Sequence, residues 1–163
     1  MKAVIAIGIP GSGKTTTLKS FAAHEGLTYI NADDIRQELT GDLRNHQHEG
    51  HVWTLVHKRI AKSLTGAGAV IDVTHARKRD RLQMIRFCRE HGAKTIVGYY
   101  FAISPETCKK RNAQRSNPVP DAAIDRMAEF LGKHPPTKSE GFDELHIVTE
   151  ADQQHRNEIR ALG

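Results

Sequence analysis

Apolar residues along this chain recur in two rhythms. Short runs rich in β-branched and aromatic residues fall at residues 3–7, 27–30, 69–74, 94–103 and 144–148. They read as strands, the uninterrupted ones as buried strands. Between them the apolar positions follow helical spacing. Val52, Leu55, Val56, Ile60 and Leu64 mark one face of a helix that ends at Gly66. Further helices are expected over residues 16–23, 31–39, 77–91 (closed by Gly92), from Ser104 onward, over 121–131 and over 150–161. Ser104 supplies a cap with Pro105 at the first helical position. Asp34 followed by Gln37 fits a capping box. Residues 41–50 read as a polar loop and 133–141 as an irregular linker.

Strands that alternate with helices predict an α/β fold: a parallel sheet of about five strands flanked by helices on both faces. The 163 residues suffice for one domain with its own core. A helical lid is expected over about residues 105–133.

Composition adds a few bounds. With 24 Lys and Arg against 19 Asp and Glu, the net charge of +5 favours a polyanionic partner. No run approaches the roughly 20 apolar residues that span a bilayer. Met1 leads directly into a strand, without the pattern of a signal peptide, so a cytoplasmic location is expected. Cys88 and Cys108 lack metal-ligand spacing and read as free thiols. His46, His48 and His51 have no accompanying carboxylate or cysteine frame, so a solvated loop is expected rather than a metal site. Trp53 either packs in the core or stacks on a base.

Chemistry concentrates where strands end. Gly8-Ile-Pro-Gly-Ser-Gly-Lys14-Thr15 fills every fixed position of the phosphate-binding P-loop pattern, between a strand and a helix. Gly8, Gly11 and Gly13 let the backbone approach an anion, and Ser12 and Thr16 complete the cradle with them. Lys14 is expected at the β- and γ-phosphates of ATP, and Thr15 at Mg²⁺. Asp72 ends an apolar strand, the Walker-B position that holds the hydration shell of Mg²⁺ or orients Thr15; it could also simply cap the next helix. Asp33 and Arg36, three apart, share a helix face. Either Asp33 takes the proton of an attacking hydroxyl while Arg36 holds a substrate anion, or the aspartates only cap the helix. Arg111 and Arg115, four apart, would lie on one face and converge on a phosphoryl group, unless they form an ordinary basic stripe.

With these pieces in order, the chain resembles the 5′-kinase domain of the phage polynucleotide kinase family, a branch of the adenylate-kinase-like P-loop phosphotransferases. The resemblance rests on residues 7–16, Asn31-Ala-Asp33-Asp34-Ile-Arg36-Gln37, Val70-Ile-Asp-Val-Thr-His75, Lys110-Arg111-Asn112 with Arg115, and Val119-Pro120 with Arg126-Met127. It implies an ATP- and Mg²⁺-dependent kinase for the 5′-hydroxyl of DNA or RNA. Asp33 would be the general base, Arg36 would bind a strand phosphate, Thr74 would lie at the substrate, and Arg115 assisted by Arg111 would clamp the donor. The family often has Thr-Asn where this chain has Thr74-His75, and its acid in this region can shift by one position. Relatives of this shape phosphorylate small metabolites, nucleotide sugars or hydroxymethylated DNA bases. A nucleic-acid-dependent NTPase is a further alternative.

Overall fold

The apolar runs pair as five parallel strands in a computed structural model that describes residues 1–162: β1 (Lys2–Ile7), β2 (Thr28–Asn31), β3 (Ala69–Asp72), β4 (Thr95–Phe101) and β5 (Glu144–Val148). Their order across the sheet is β2-β3-β1-β4-β5. β1 lies at the centre, with Ala3–Ala6 beside β4 residues 96–99 and Ala3–Ile5 beside Ala69–Ile71. A parallel strand covered on both faces should be apolar throughout. Ala3 to Ile7 obey this, with no solvent exposure. Edge strand β5 behaves differently and leaves Ile147 58% exposed.

Seven helices connect and flank the strands among the described residues: α1 (Lys14–Glu25), α2 (Ala32–Thr40), α3 (Glu49–Leu64), α4 (Lys78–Glu90), α5 (Pro105–Ala113), α6 (Asp121–Lys133) and α7 (Glu150–Leu162). The β1-to-β2 crossover runs one way across the sheet, whereas later crossovers run the other way. Right-handed connections therefore put α1 and α2–α6 on opposite faces. The direction reverses at β1, and the crevice between the carboxyl ends of β1 and β3 is where ligands bind in such sheets.

Several local expectations change. The helix after the polar loop starts at Glu49, so Gly50 and His51 are helical. The linker after α6 contains a 3₁₀ turn, Lys138–Glu140. The basic helix is more than a solvated stripe. Arg81 on α4 is fully buried, and its guanidinium pairs with Glu140 through two 2.8 Å bonds. It also donates to the carbonyls of His75, Ala76 and His134. One side chain thus ties the loop after β3 to the segment after α6. Trp53 is 37% exposed, because Val52, Val56 and Ile60 take the inward face of α3. Cys88 and Cys108 are buried free thiols, and burial pushes them up to about 12 and about 11.

Candidate active site

The turn after β1 is shaped for an anion. Gly11 and Gly13 have φ of 85° and 86°, a region closed to most side chains. A Cβ on Gly11 would also collide with the carbonyl of Cys108, which lies directly upon it. Gly13 caps α1 with no side-chain bond, so the first amides of the helix retain their capacity for an anion. Ser12 Oγ is buried without a partner. The Lys14 ammonium donates to the Ile9 carbonyl at 3.2 Å and is only 8% exposed. Burial lowers its pKa, against the pull of Asp72. An under-satisfied buried cation beside an orphan hydroxyl and a glycine cradle fits a polyphosphate.

Asp72, at the end of β3, is nearly buried. Its Oδ2 accepts from Thr15 Oγ1 at 2.7 Å, Tyr29 OH at 2.5 Å and Asn31 Nδ2 at 3.2 Å. Tyr29 is held well above its ordinary pKa by burial and by Asp72, so the phenol stays a donor. Oδ1 accepts no protein bond among the described residues. A hydroxyl and a carboxylate in contact are the hard oxygen donors that Mg²⁺ selects, and Thr15 and Asp72 would hold it.

Asn31 also opens α2. Its Oδ1 accepts from the amides of Asp33 and Asp34 at 2.8 and 3.1 Å. The expected capping box at Asp34 is therefore not formed, since the Asn31 amide oxygen, three residues earlier in the N-cap position, takes those donors; Gln37 instead donates to the Gly41 carbonyl. Neither aspartate is needed as a cap. Asp33 Oδ1 accepts from Arg36 Nη1 at 2.5 Å, with the Asp33 side chain 60% exposed. Arg36 is not open to a strand phosphate as expected. Its Nε and Nη2 are engaged by Glu49 at 2.5 and 3.1 Å. That hydrogen bond holds Glu49 below the usual carboxylate range.

The arginines at the end of α5 also depart from expectation. α5 ends at Ala113, so Arg111 is helical and Arg115 lies in the following turn. The break comes from Asn112, which holds Val119 through Nδ2 to its carbonyl at 2.7 Å and Oδ1 to its amide at 3.0 Å. Arg111 Nη1 donates to the Gly11 carbonyl and to Gln153 Oε1. Gln153, from α7, donates in turn to the Ser12 carbonyl at 2.7 Å.

One cavity of about 430 Å³ gathers Gly11, Ser12, Gly13, Lys14, Thr15, Thr16, Asp33, Asp72, Thr74, Arg111 and Arg115. Two expected residues are not on its wall. Gly8 lies below the loop, its amide bonded to the Thr74 carbonyl, and Arg36 acts from behind Asp33. A second groove of about 660 Å³ continues from Gly13, Thr16 and Arg111 to Phe21, Tyr99, Gln153 and Arg156. A third, of about 400 Å³, begins at Val73 and Thr74 and includes Trp53, His57, His75 and Gln83. His75 has φ 46° and is buried; its Nδ1 meets the Ala6 carbonyl at 2.8 Å, while Nε2 has no partner. Burial lowers it to about 4, so it is neutral, with Nδ1–H donating and Nε2 a vacant acceptor. Of the polar-loop histidines, His46 bonds Glu49 and His48 stacks on His51. Among the described residues no group of three His, Cys, Asp or Glu could hold a metal ion. No helix there is long and apolar enough to cross a membrane.

The sequence reading missed Tyr29, Glu49 and Gln153, and noted His75 only as a departure from the family pattern. Only Asn31 had a local signal, a favoured cap type just before two acids.

Comparison with known proteins agrees with the P-loop α/β fold. The sequence matches the AAA domain family AAA_33 over residues 4–134. It is 27% identical over 121 residues to the "Probable gluconokinase" of Schizosaccharomyces pombe, across 69% of this chain and 63% of that one. A chain in the structure of the Pnkp1/Rnl/Hen1 RNA repair complex superposes with a TM-score of 0.72 at 27% identity, covering 87% of this chain and 46% of the other. A sugar kinase from Janibacter sp. HTCC2649 shares the fold at 18% identity and a TM-score of 0.65, covering 99% and 92%. This chain thus spans less than two thirds of the first two relatives. With most of its length matched and the loop, lysine and strand-end acid in one cavity, the chain belongs to the AAA_33 family and carries the frame of a P-loop kinase.

Proposed function

We propose that this protein is an ATP-dependent polynucleotide kinase acting on the 5′-hydroxyl of DNA or RNA. The observation that carries the reading is Asp33: a carboxylate not used as a helix cap, held by Arg36, on the same cavity as Lys14, Thr15 and Asp72. An NTPase acting on water alone has less need of such a placed base. The net charge of +5 and the likeness to a chain of an RNA repair complex favour a nucleic-acid acceptor.

In this reading the P-loop amides and Lys14 hold the donor's phosphates, and the Phe21–Tyr99–Arg111 groove takes its base. Thr15 and Asp72 would hold Mg²⁺, which neutralises phosphate charge. Arg36 occupies Asp33 Oδ1 and leaves Oδ2 to take the acceptor's hydroxyl proton. As the new oxygen–phosphorus bond forms and the bond to the bridging oxygen breaks, Lys14, Arg111 and Arg115 stabilise the charge that shifts toward departing ADP. Transfer of labelled phosphate from ATP to a 5′-hydroxyl oligonucleotide, and not to its 5′-phosphorylated form, tests the reading. A small polyol or sugar acid is the second reading, favoured by the confined Trp53–His75 cavity and the gluconokinase relative. Labelling of such a compound with no labelling of the oligonucleotide would establish it instead.

A further inference from the structure

A fourth groove, of about 890 Å³, runs between α4 and α6. Its walls carry Arg77, Lys78, Arg79, Arg86, Lys133 and His134, and no carboxylate. Arg79 is near Asp80 and Lys133 bonds Glu129, whereas Arg77, Lys78 and Arg86 have no acidic partner among the described residues. Lys78, Leu82 and Arg86 are spaced four apart, so they form one stripe on α4. Leu82 is 40% exposed there, and the Arg77 guanidinium covers the Phe130 ring at 4.6 Å. Cations alternating with apolar and aromatic surface are what a single nucleic-acid strand requires, the cations for phosphates and the flat surfaces for bases.

Position gives the groove its meaning. It shares Gln83 with the Trp53–His75 cavity, and that cavity shares Val73 and Thr74 with the phosphate site. The three form one path from the transfer centre outward. The middle cavity is lined by exposed Trp53 and by His75, whose buried Nε2 is a vacant acceptor, so the cavity offers an aromatic face together with a neutral imidazole. From Lys78 to Arg86 the helix advances about 12 Å, roughly three nucleotide steps at stacked spacing.

We infer that the acceptor strand lies along this path, its terminal nucleoside in the Trp53–His75 cavity and its downstream phosphates on Arg77, Lys78 and Arg86. The inference rests on the polynucleotide reading, which it extends from the reacting hydroxyl to the strand behind it.

The test compares Lys78→Gln/Arg86→Gln with a charge-matched control, Lys62→Gln/Lys94→Gln, whose exposed lysines lie away from the groove. The first measurement is kcat/KM for a hexanucleotide relative to a dinucleotide, both with 5′-hydroxyls. The groove variant is expected to lower this ratio about tenfold, while the control keeps the wild-type ratio. The second is fluorescence anisotropy of a 5′-phosphorylated hexanucleotide, which requires no turnover. Each lost phosphate contact should reduce the slope of log affinity against log salt by about 0.7. DNA and RNA hexamers form parallel arms, with polyglutamate as a competitor. Equal ratios and equal slopes in both variants overturn the inference, as does a wild-type protein that binds no oligonucleotide. So does an equal loss of polyglutamate binding, which makes the groove a general polyanion patch. A protein that binds oligonucleotides through the groove yet phosphorylates none sinks the kinase reading and leaves the groove standing.

Discussion

Two arginines on two amphipathic helices do similar work in different surroundings. Arg81 and its partner Glu140 are sealed, with side chains 0% and 2% exposed. Arg36 is nearly as deep, at 8%, but its carboxylates reach water: Glu49 is 32% and Asp33 60% exposed. A sealed pair has no solvent to fall back on when one member is lost, so its removal is felt as stability. In the half-wet pair the stranded carboxylates can hydrate, so stability suffers less and the geometry of Asp33 suffers more. The dry clamp maintains the frame, and the wet one fixes the Asp33 carboxylate on the wall of the phosphate-loop cavity.

Four perturbations press on this contrast. The largest effect is expected at the wet clamp's exposed end. Asp33→Asn should lower kcat by about 10²–10⁴-fold while ATP affinity, by calorimetry, holds. A near-normal kcat would reduce Asp33 to a partner of Arg36 and nothing more. Arg81→Ala should cost about 3–5 kcal/mol in chemical denaturation, because Glu140 and three carbonyls lose their donor in the interior. A loss under 1 kcal/mol would show that water reaches the dry clamp and that the contrast is false.

The third tests the loop that Arg81 holds. His75 falls from 6.5 unfolded to about 4 folded. Between these values the unfolded chain binds the proton and the folded one does not, so stability is fully present above pH 6.5 and declines as pH falls toward 4. The contribution is on the order of 3 kcal/mol. Asparagine tolerates positive φ, so His75→Asn should fold and flatten the stability profile between pH 6.5 and 4. An unaltered profile would mean that His75 is protonated without penalty. The smallest effect is expected at Glu49→Gln, about tenfold in kcat, the scale on which outer partners act. Its thermal midpoint should move far less than that of Arg81→Ala.

The same contrast explains what was legible in the sequence. The phosphate loop is a local object, in which strand, glycines, lysine and helix lie within one short stretch. Asp72 was legible because the end of an apolar strand is a place in the fold. Helical spacing singled out Asp33, Arg36, Arg111 and Arg115, the resemblance added Thr74, and the structure sets four of these five on one cavity wall. Of the clamps only the Arg36–Asp33 side was legible, as a pair three apart on one helix; the other partners are remote. Arg81 meets Glu140 59 positions away, and Gln153 reaches Ser12 across 141. Polar residues have no periodicity that announces such a meeting, and a basic helix reads alike whether its arginine is wet or dry. The Thr74-His75 departure becomes intelligible in backbone terms, because the position requires positive φ, which histidine and asparagine both accept more readily than most residues.

The main chain of Cys108 rests directly on Gly11, so α5 is seated on the phosphate loop itself. If α6 swings while α5 stays seated, the pivot must lie between Gln114 and Pro118, and the swing must undo the Asn112–Val119 pair. Arg111 stands before that pivot and Arg115 within it. One guanidinium would then wait at the donor as a fixture, and the other would arrive and depart with each turnover.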